Sequence, residues 1–157
     1  MKMKMHLKTA RTMLSVAVVA IIIGLISHRA ESQERKAVNL SSASGLPFSD
    51  AIIAGNTLYI AGQEGSDDSG KLASGGIGPE TSATLGNIQK IVKAAGFEMK
   101  DVVSVTVYLA DIHDFPEMNK VYKGMMPDPK PARATIQAAA LVNNARIEIS
   151  AIAVRQK

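Results

Sequence analysis

Near the end of this chain, "PARATIQAAALVNNARIEIS" (131–150) carries Arg133 and Glu148, opposite charges 15 residues apart among small and apolar neighbours. A guanidinium is a rigid fork of donors, and a glutamate accepts hydrogen bonds and carries a proton. Two such groups in strand-like sequence form either the polar part of a site or a salt bridge, which is worth little if exposed. In alternating strands Arg133, Thr135 and Gln137 share one face, with Ala132, Ala134 and Ile136 on the other. Glu148, Ser150 and Ile152 likewise oppose Ile147, Ile149 and Ala151. On pattern alone both readings stand.

Other chemistry is thinner. His113 stands apart from His6 and His28, and there is no cysteine, so no zinc ligand set emerges and no metal or cofactor is expected. "SGGIGPE" precedes a helix but matches neither common glycine-rich phosphate fingerprint, and reads as a flexible loop. The serines of "SSASG" and "SAT" lack a His or Asp arrangement. Asp67 and Asp68 of "SDDSG" are explained by turn chemistry.

The elements that must position these residues follow from periodicity. "DAIIAGNTLYIAGQ" is a hairpin around Gly55-Asn56. "PETSATLGNIQKIVKAAG" is a helix, with Pro79 and Glu80 in its first turn and Gly96 just past its end. Leu85, Ile88, Val92 and Ala95 form its apolar stripe. "DVVSVTVYLA" alternates as a half-buried strand, with Val103, Val105, Val107 and Leu109 on one face. "DFPEMNKVYKGMM" is a second helix with Asp114 as N-cap. "ARATIQAAAL" and "ARIEISAIAV" are two closing strands, expected to pair through a turn near 142–145. The order β-β-α-β-α-β-β predicts an α+β fold, two helices on one face of a sheet. Apolar Ala139, Leu141, Ile149 and Ala151 on the last strands suggest an oligomer.

With 157 residues, one domain is expected. The net charge of +4 is concentrated at the start. Residues 1–30 hold five of 18 basic residues and no acid, so the rest has 13 basic against 14 acidic residues, a balance of −1. That lacks the basic footprint of a nucleic-acid binder. Residues 1–12 are basic and 13–27 form an uncharged, mostly apolar run. Residues 1–30 therefore read as a secretory signal or an N-terminal membrane anchor, 31–45 as a polar linker, and 46–157 as the folded domain. Either reading puts the domain outside the cytoplasm, periplasmic or secreted in a bacterium, or anchored to the inner membrane.

The segments "LPFSDAIIAGNTLYIAGQEG", "GKLASGGIGPETSATLGNIQKIVKAAG", "DVVSVTVYLADIHDFPEMNKVY" and "PARATIQAAALVNNARIEISAIAV" resemble, in this order, the RidA/YjgF family of reactive intermediate deaminases. The resemblance implies a chorismate-mutase-like fold, a homotrimer with sites between subunits, and hydrolysis of 2-imino acids or enamines without cofactor or metal. It implies that Arg133 clamps a substrate carboxylate and Glu148 activates water. Asn119 and the Gly62 backbone join the same site. At Phe48, Ala61 and Thr135 the chain departs from the family's tyrosine, serine and cysteine, so two polar helpers are missing. A non-catalytic pocket for small carboxylates is the alternative, and the family's endoribonuclease activity a weaker one.

Overall fold

The computed structural model describes residues 34–40 and 45–155. The expectations for residues 1–30 lie outside them. No helix among the described residues is long and apolar enough to cross a membrane.

Six strands form one mixed sheet: β1 (Arg35–Val38), β2 (Ala51–Ala54), β3 (Thr57–Glu64), β4 (Val102–Leu109), β5 (Ala132–Gln137) and β6 (Ile147–Val154). Their order is β1-β2-β3-β6-β4-β5. Helices α1 (Ile77–Ala94) and α2 (Phe115–Met125) follow β3 and β4. This is the α+β arrangement expected.

The local readings hold where the pattern is strong. Gly55 and Asn56 link β2 to β3, with Ala54 opposite Thr57, and only Gly55 takes a left-handed φ of 61°. That favours glycine at the first turn position. Leu85, Ile88, Val92 and Ala95 of α1 are all buried. Gly96 ends α1 with φ 75°, the left-handed helix stop.

On β6, Ile147, Ile149, Ala151 and Ala153 alternate into the core. Each fully buried isoleucine stabilises by about 1.5–3 kcal/mol. The central place of β6 between β3 and β4 follows from this two-sided pairing of an apolar strand.

Five expectations are corrected. The supposed linker contains β1, whose Ala37 pairs with Ile52 and whose Val38 reaches the core. Its two cations hid it, because an edge strand needs few apolar residues. The last two strands do not pair through residues 142–145: β4 lies between them, antiparallel to β6 and parallel to β5. Val103 is exposed rather than in line with Val105, because the ladder shifts between Val102 and Ser104 and bulges it outward. Asp114 makes no capping bond. Its carboxylate accepts from the Arg146 guanidinium at 2.8 Å instead.

The helix layer covers one face. Ile149 and Ala151 belong to that covered side, so they do not supply the apolar open face expected of them. The open face carries Tyr59 and Ile136, each 50% exposed, with Ser104, Thr106, Ser150 and Ile152 between them. A recess of about 120 Å³ lies among Tyr59, Ser104, Thr106, Ser150 and Ile152.

Candidate active site

Arg133 sits on β5 beside Val105 of β4, with its side chain on the helix face. Its Nη2 donates to Asn119 Oδ1 at 2.6 Å, and its Nη1 points to Met118 Sδ at 4.0 Å. The guanidinium lies 4.4 Å from the Tyr122 ring centre and 5.6 Å from that of Phe115. Stacking on rings contributes about 0.5–2 kcal/mol and fixes the plane of the fork. Three of its five N–H donors have no partner among the described residues, nor does any carboxylate pair with it there.

The helix supplies this arrangement by spacing. Phe115, Met118, Asn119 and Tyr122 recur at three- and four-residue steps on one face of α2. Met118 and Tyr122 are buried under the arginine while Asn119 stays half-buried at its tip. Two hydroxyls nearby, Tyr122 Oη and Thr135 Oγ1, are buried without a hydrogen-bond partner. Leaving a buried hydroxyl unpaired costs about 1–3 kcal/mol, so each is a natural seat for a water or ligand atom. Burial pushes the Tyr122 phenol up, against a smaller opposing effect of Arg133. Sequence reading missed Phe115, Met118 and Tyr122, although their helical spacing around Asn119 was available.

Glu148 lies on the other side of the sheet. It alternates with buried Ile147 and Ile149, and its cross-strand partners are Tyr108 and Glu64. The ladder between β3 and β6 shifts between Ile60 and Gln63, so Ala61 and Gly62 together oppose Ser150. This bulge brings the Gly62 backbone against the carboxylate: a Cβ at Gly62 would stand 1.9 Å from Glu148 Oε1. The Ala61 N–H donates to Asp50 O at 2.9 Å, and Phe48, two residues earlier, is 55% exposed.

Arg133 and Glu148 therefore form no salt bridge; they occupy opposite faces of one sheet. The expected residues fall into two groups. Arg133, Asn119 and Thr135 gather on the helix side, and Glu148 and Gly62 on the open side, with Ala61 in the same bulge and Phe48 exposed near the start of β2. The loop 65–74 belongs to neither group. Asp67 organises it, accepting from the backbone of Ser69 and Lys71, and Asn87 of α1 ties it down at Glu64 O and Ser66 O. Between this loop and α1 lies a recess of about 500 Å³. His113 is highly exposed, and among the described residues its ring bonds only Asp111.

The family model described as endoribonuclease L-PSP matches residues 40–155. The chain belongs to that family, the RidA/YjgF proteins. A Homo sapiens relative named 2-iminobutanoate/2-iminopropanoate deaminase is 44% identical over 124 residues, 77% of this chain and 90% of the relative. Among solved structures, RidA from the Antarctic bacterium Psychrobacter is 34% identical with a TM-score of 0.71, covering 76% of this chain and 100% of its own. TdcF of E. coli, solved with bound serine, is 29% identical with a TM-score of 0.70, covering 77% and 99%. The RidA/YjgF fold thus accounts for the whole region from β2 to β6.

Proposed function

We propose that this RidA/YjgF protein hydrolyses 2-imino acids and their enamine tautomers to 2-oxo acids and ammonia. The observation that carries the reading is Arg133: a stacked, oriented guanidinium with free donors and no carboxylate partner among the described residues. Such a fork takes a carboxylate in two parallel bonds, which a lysine does not reproduce. The deaminase names of relatives at 44–48% identity support the reaction, and the serine held by TdcF supports a small amino-acid-like ligand.

In this reading Arg133 fixes the substrate carboxylate and with it the adjacent imine carbon. Glu148 takes a proton from water as the oxygen attacks that carbon, and the nitrogen is protonated to give a carbinolamine. Glu148 returns its proton to nitrogen, the C–N bond breaks with its electron pair leaving on ammonia, and the carbinol O–H proton passes to solvent as the carbonyl forms. Because Arg133 and Glu148 face opposite ways, the catalytic site pairs one chain's Arg133 with a neighbour's Glu148. A homotrimer provides three such sites, with Tyr59 and Ile136 among the apolar residues it would cover. Phe48 and Ala61 bring no hydroxyl, which favours the second reading, a carboxylate-binding pocket without turnover. The near-neutral charge balance beyond residue 30 speaks for a small-molecule substrate over RNA.

The basic start and apolar run within residues 1–30 support export of the domain to the periplasm or medium, or its anchoring to the inner membrane through residues 13–27. N-terminal sequencing of protein recovered from cell fractions distinguishes a cleaved signal from an anchor.

The test is hydrolysis of oxidase-generated imines, with semicarbazide trapping what remains. Wild type should deplete the imine and Arg133→Ala should not. Equal trapping in both would overturn the assignment. Glu148→Ala that still binds a small carboxylate but does not turn over separates the enzyme from the pocket.

A further inference from the structure

Glu64 ends β3 and is the direct cross-strand partner of Glu148. Beyond the bulge, Gly62 and Glu64 alternate onto the same face, so the backbone that touches the Glu148 carboxylate delivers a second carboxylate beside it. Like charges set directly opposite each other destabilise a sheet. Neither glutamate forms a salt bridge among the described residues. Instead Asn143 Nδ2 donates to Glu64 Oε2 at 3.1 Å. Asn143 does so from a left-handed φ of 56°, a conformation that costs a non-glycine residue free energy and marks a constrained position. Tyr108 of β4 is the second cross-strand partner of Glu148, and the charge of Glu80 of α1 also acts on Glu64. Burial lifts the Glu64 carboxyl above the usual carboxylate range. The charges of Glu148 and Glu80 act in the same direction, and the Asn143 bond opposes them.

We propose that Glu64 is a second catalytic carboxylate, the acid that protonates the substrate nitrogen while Glu148 acts as base toward water. The proposal rests on the imine-hydrolase reading above. The reaction needs both roles at one carbon, and two carboxylates side by side on one face supply them, one as base toward water and one as acid toward nitrogen. In the first step Glu148 takes a proton from water, the C–O bond forms, and protonated Glu64 gives its proton to the imine nitrogen. In the second, Glu148 returns its proton to the amine, the C–N bond breaks with its electron pair leaving on ammonia, and the carbinol O–H proton passes to Glu64. Both glutamates end as they began, and the sum is imine plus water to ketone plus ammonia.

The test compares pH profiles of kcat for wild type, Glu64→Gln and Glu64→Asp on oxidase-generated imines. Wild-type kcat should fall as pH rises and Glu64 deprotonates. Glu64→Gln should drop kcat by at least about tenfold and lose that limb of the profile, since general acids contribute on the order of 10²–10⁴. Glu64→Asp should restore part of the rate with its limb. Thermal melts guard against misfolding, because glutamine keeps the size of Glu64 and an oxygen to accept the Asn143 bond. An active wild type with an indistinguishable Glu64→Gln profile overturns the role of Glu64 alone. A wild type with no turnover on any imine overturns the hydrolase reading, and this inference with it.

Discussion

Gly62→Ala probes the geometry around Glu148 with a single added carbon. That carbon would sit 1.9 Å from Glu148 Oε1, 2.7 Å from Cδ and 3.1 Å from Cγ. Non-bonded carbon–oxygen pairs do not approach within about 3 Å, so the carboxylate must retreat by roughly 1 Å or more. Gly62 has no left-handed φ, and what the carbon meets is the far end of a flexible side chain. The backbone therefore accepts alanine and the glutamate swings away. A displacement near 1 Å at a reacting group costs up to about 10²-fold in rate, equivalent to about 2.7 kcal/mol of barrier. The imine-trapping assay should show kcat down by about 10- to 100-fold, with the melting temperature within a few degrees of wild type. A variant with unchanged kcat would refute the placement of Glu148 in the chemistry. One that loses activity only by unfolding would refute the claim that the side chain yields.

Further outcomes follow from the same contacts. Gly65→Ala places a Cβ 2.5 Å from the Glu80 carbonyl oxygen and 2.8 Å from Glu80 Cγ. Backbone cannot swing aside, so overpacking should cost about 1–3 kcal/mol and lower the melting temperature by several degrees. Arg133→Lys keeps the charge but loses the fork and the bond to Asn119. Its KM for imino acids should rise at least about tenfold, and a KM like wild type would argue against bidentate carboxylate capture. Glu64→Gln should also show in stability. A carboxyl whose folded pKa lies above its unfolded value costs stability once pH exceeds the unfolded value of 4.5. The glutamine should therefore melt slightly higher than wild type at pH 7, chiefly because it has no charge to desolvate. That difference should vanish near pH 3, and a gain persisting there would contradict the sign.

Local pattern carried most of the elements. The apolar stripe of α1 and the Gly55 hairpin were legible because each is decided by neighbours within a few residues. The pairing of β5 was not. A parallel neighbour reached through α2 is a tertiary choice, and nothing in "ARATIQ" distinguishes β4 from β6 as its partner. That choice decides the site, because it puts Arg133 under α2 and leaves Glu148 facing the other way. Glu64 has no local signal of its own, because Gly65 and the turn residues of "SDDSG" follow it directly. Strand β3 runs through it only because the bulge at Ala61–Gly62 resets the ladder with β6. Glu80 looked like a helix-dipole residue. Its buried carboxylate also accepts the Arg146 N–H at 2.7 Å, which fixes the start of β6 and hence Glu148 two residues on. Thr135 and Tyr122 show the converse limit: their unpaired hydroxyls are visible only once β5 and α2 are packed together.

The central claim is that turnover needs Arg133 from one chain and Glu148 from another. Mixing Arg133→Ala with Glu148→Ala protein, each inactive alone, tests it directly after joint refolding or co-expression. Random assembly of a closed ring of chains rebuilds about a quarter of the sites with both residues intact, so about a quarter of wild-type activity should return. Mixed assemblies that contain both variants yet recover no activity at any ratio would contradict the account.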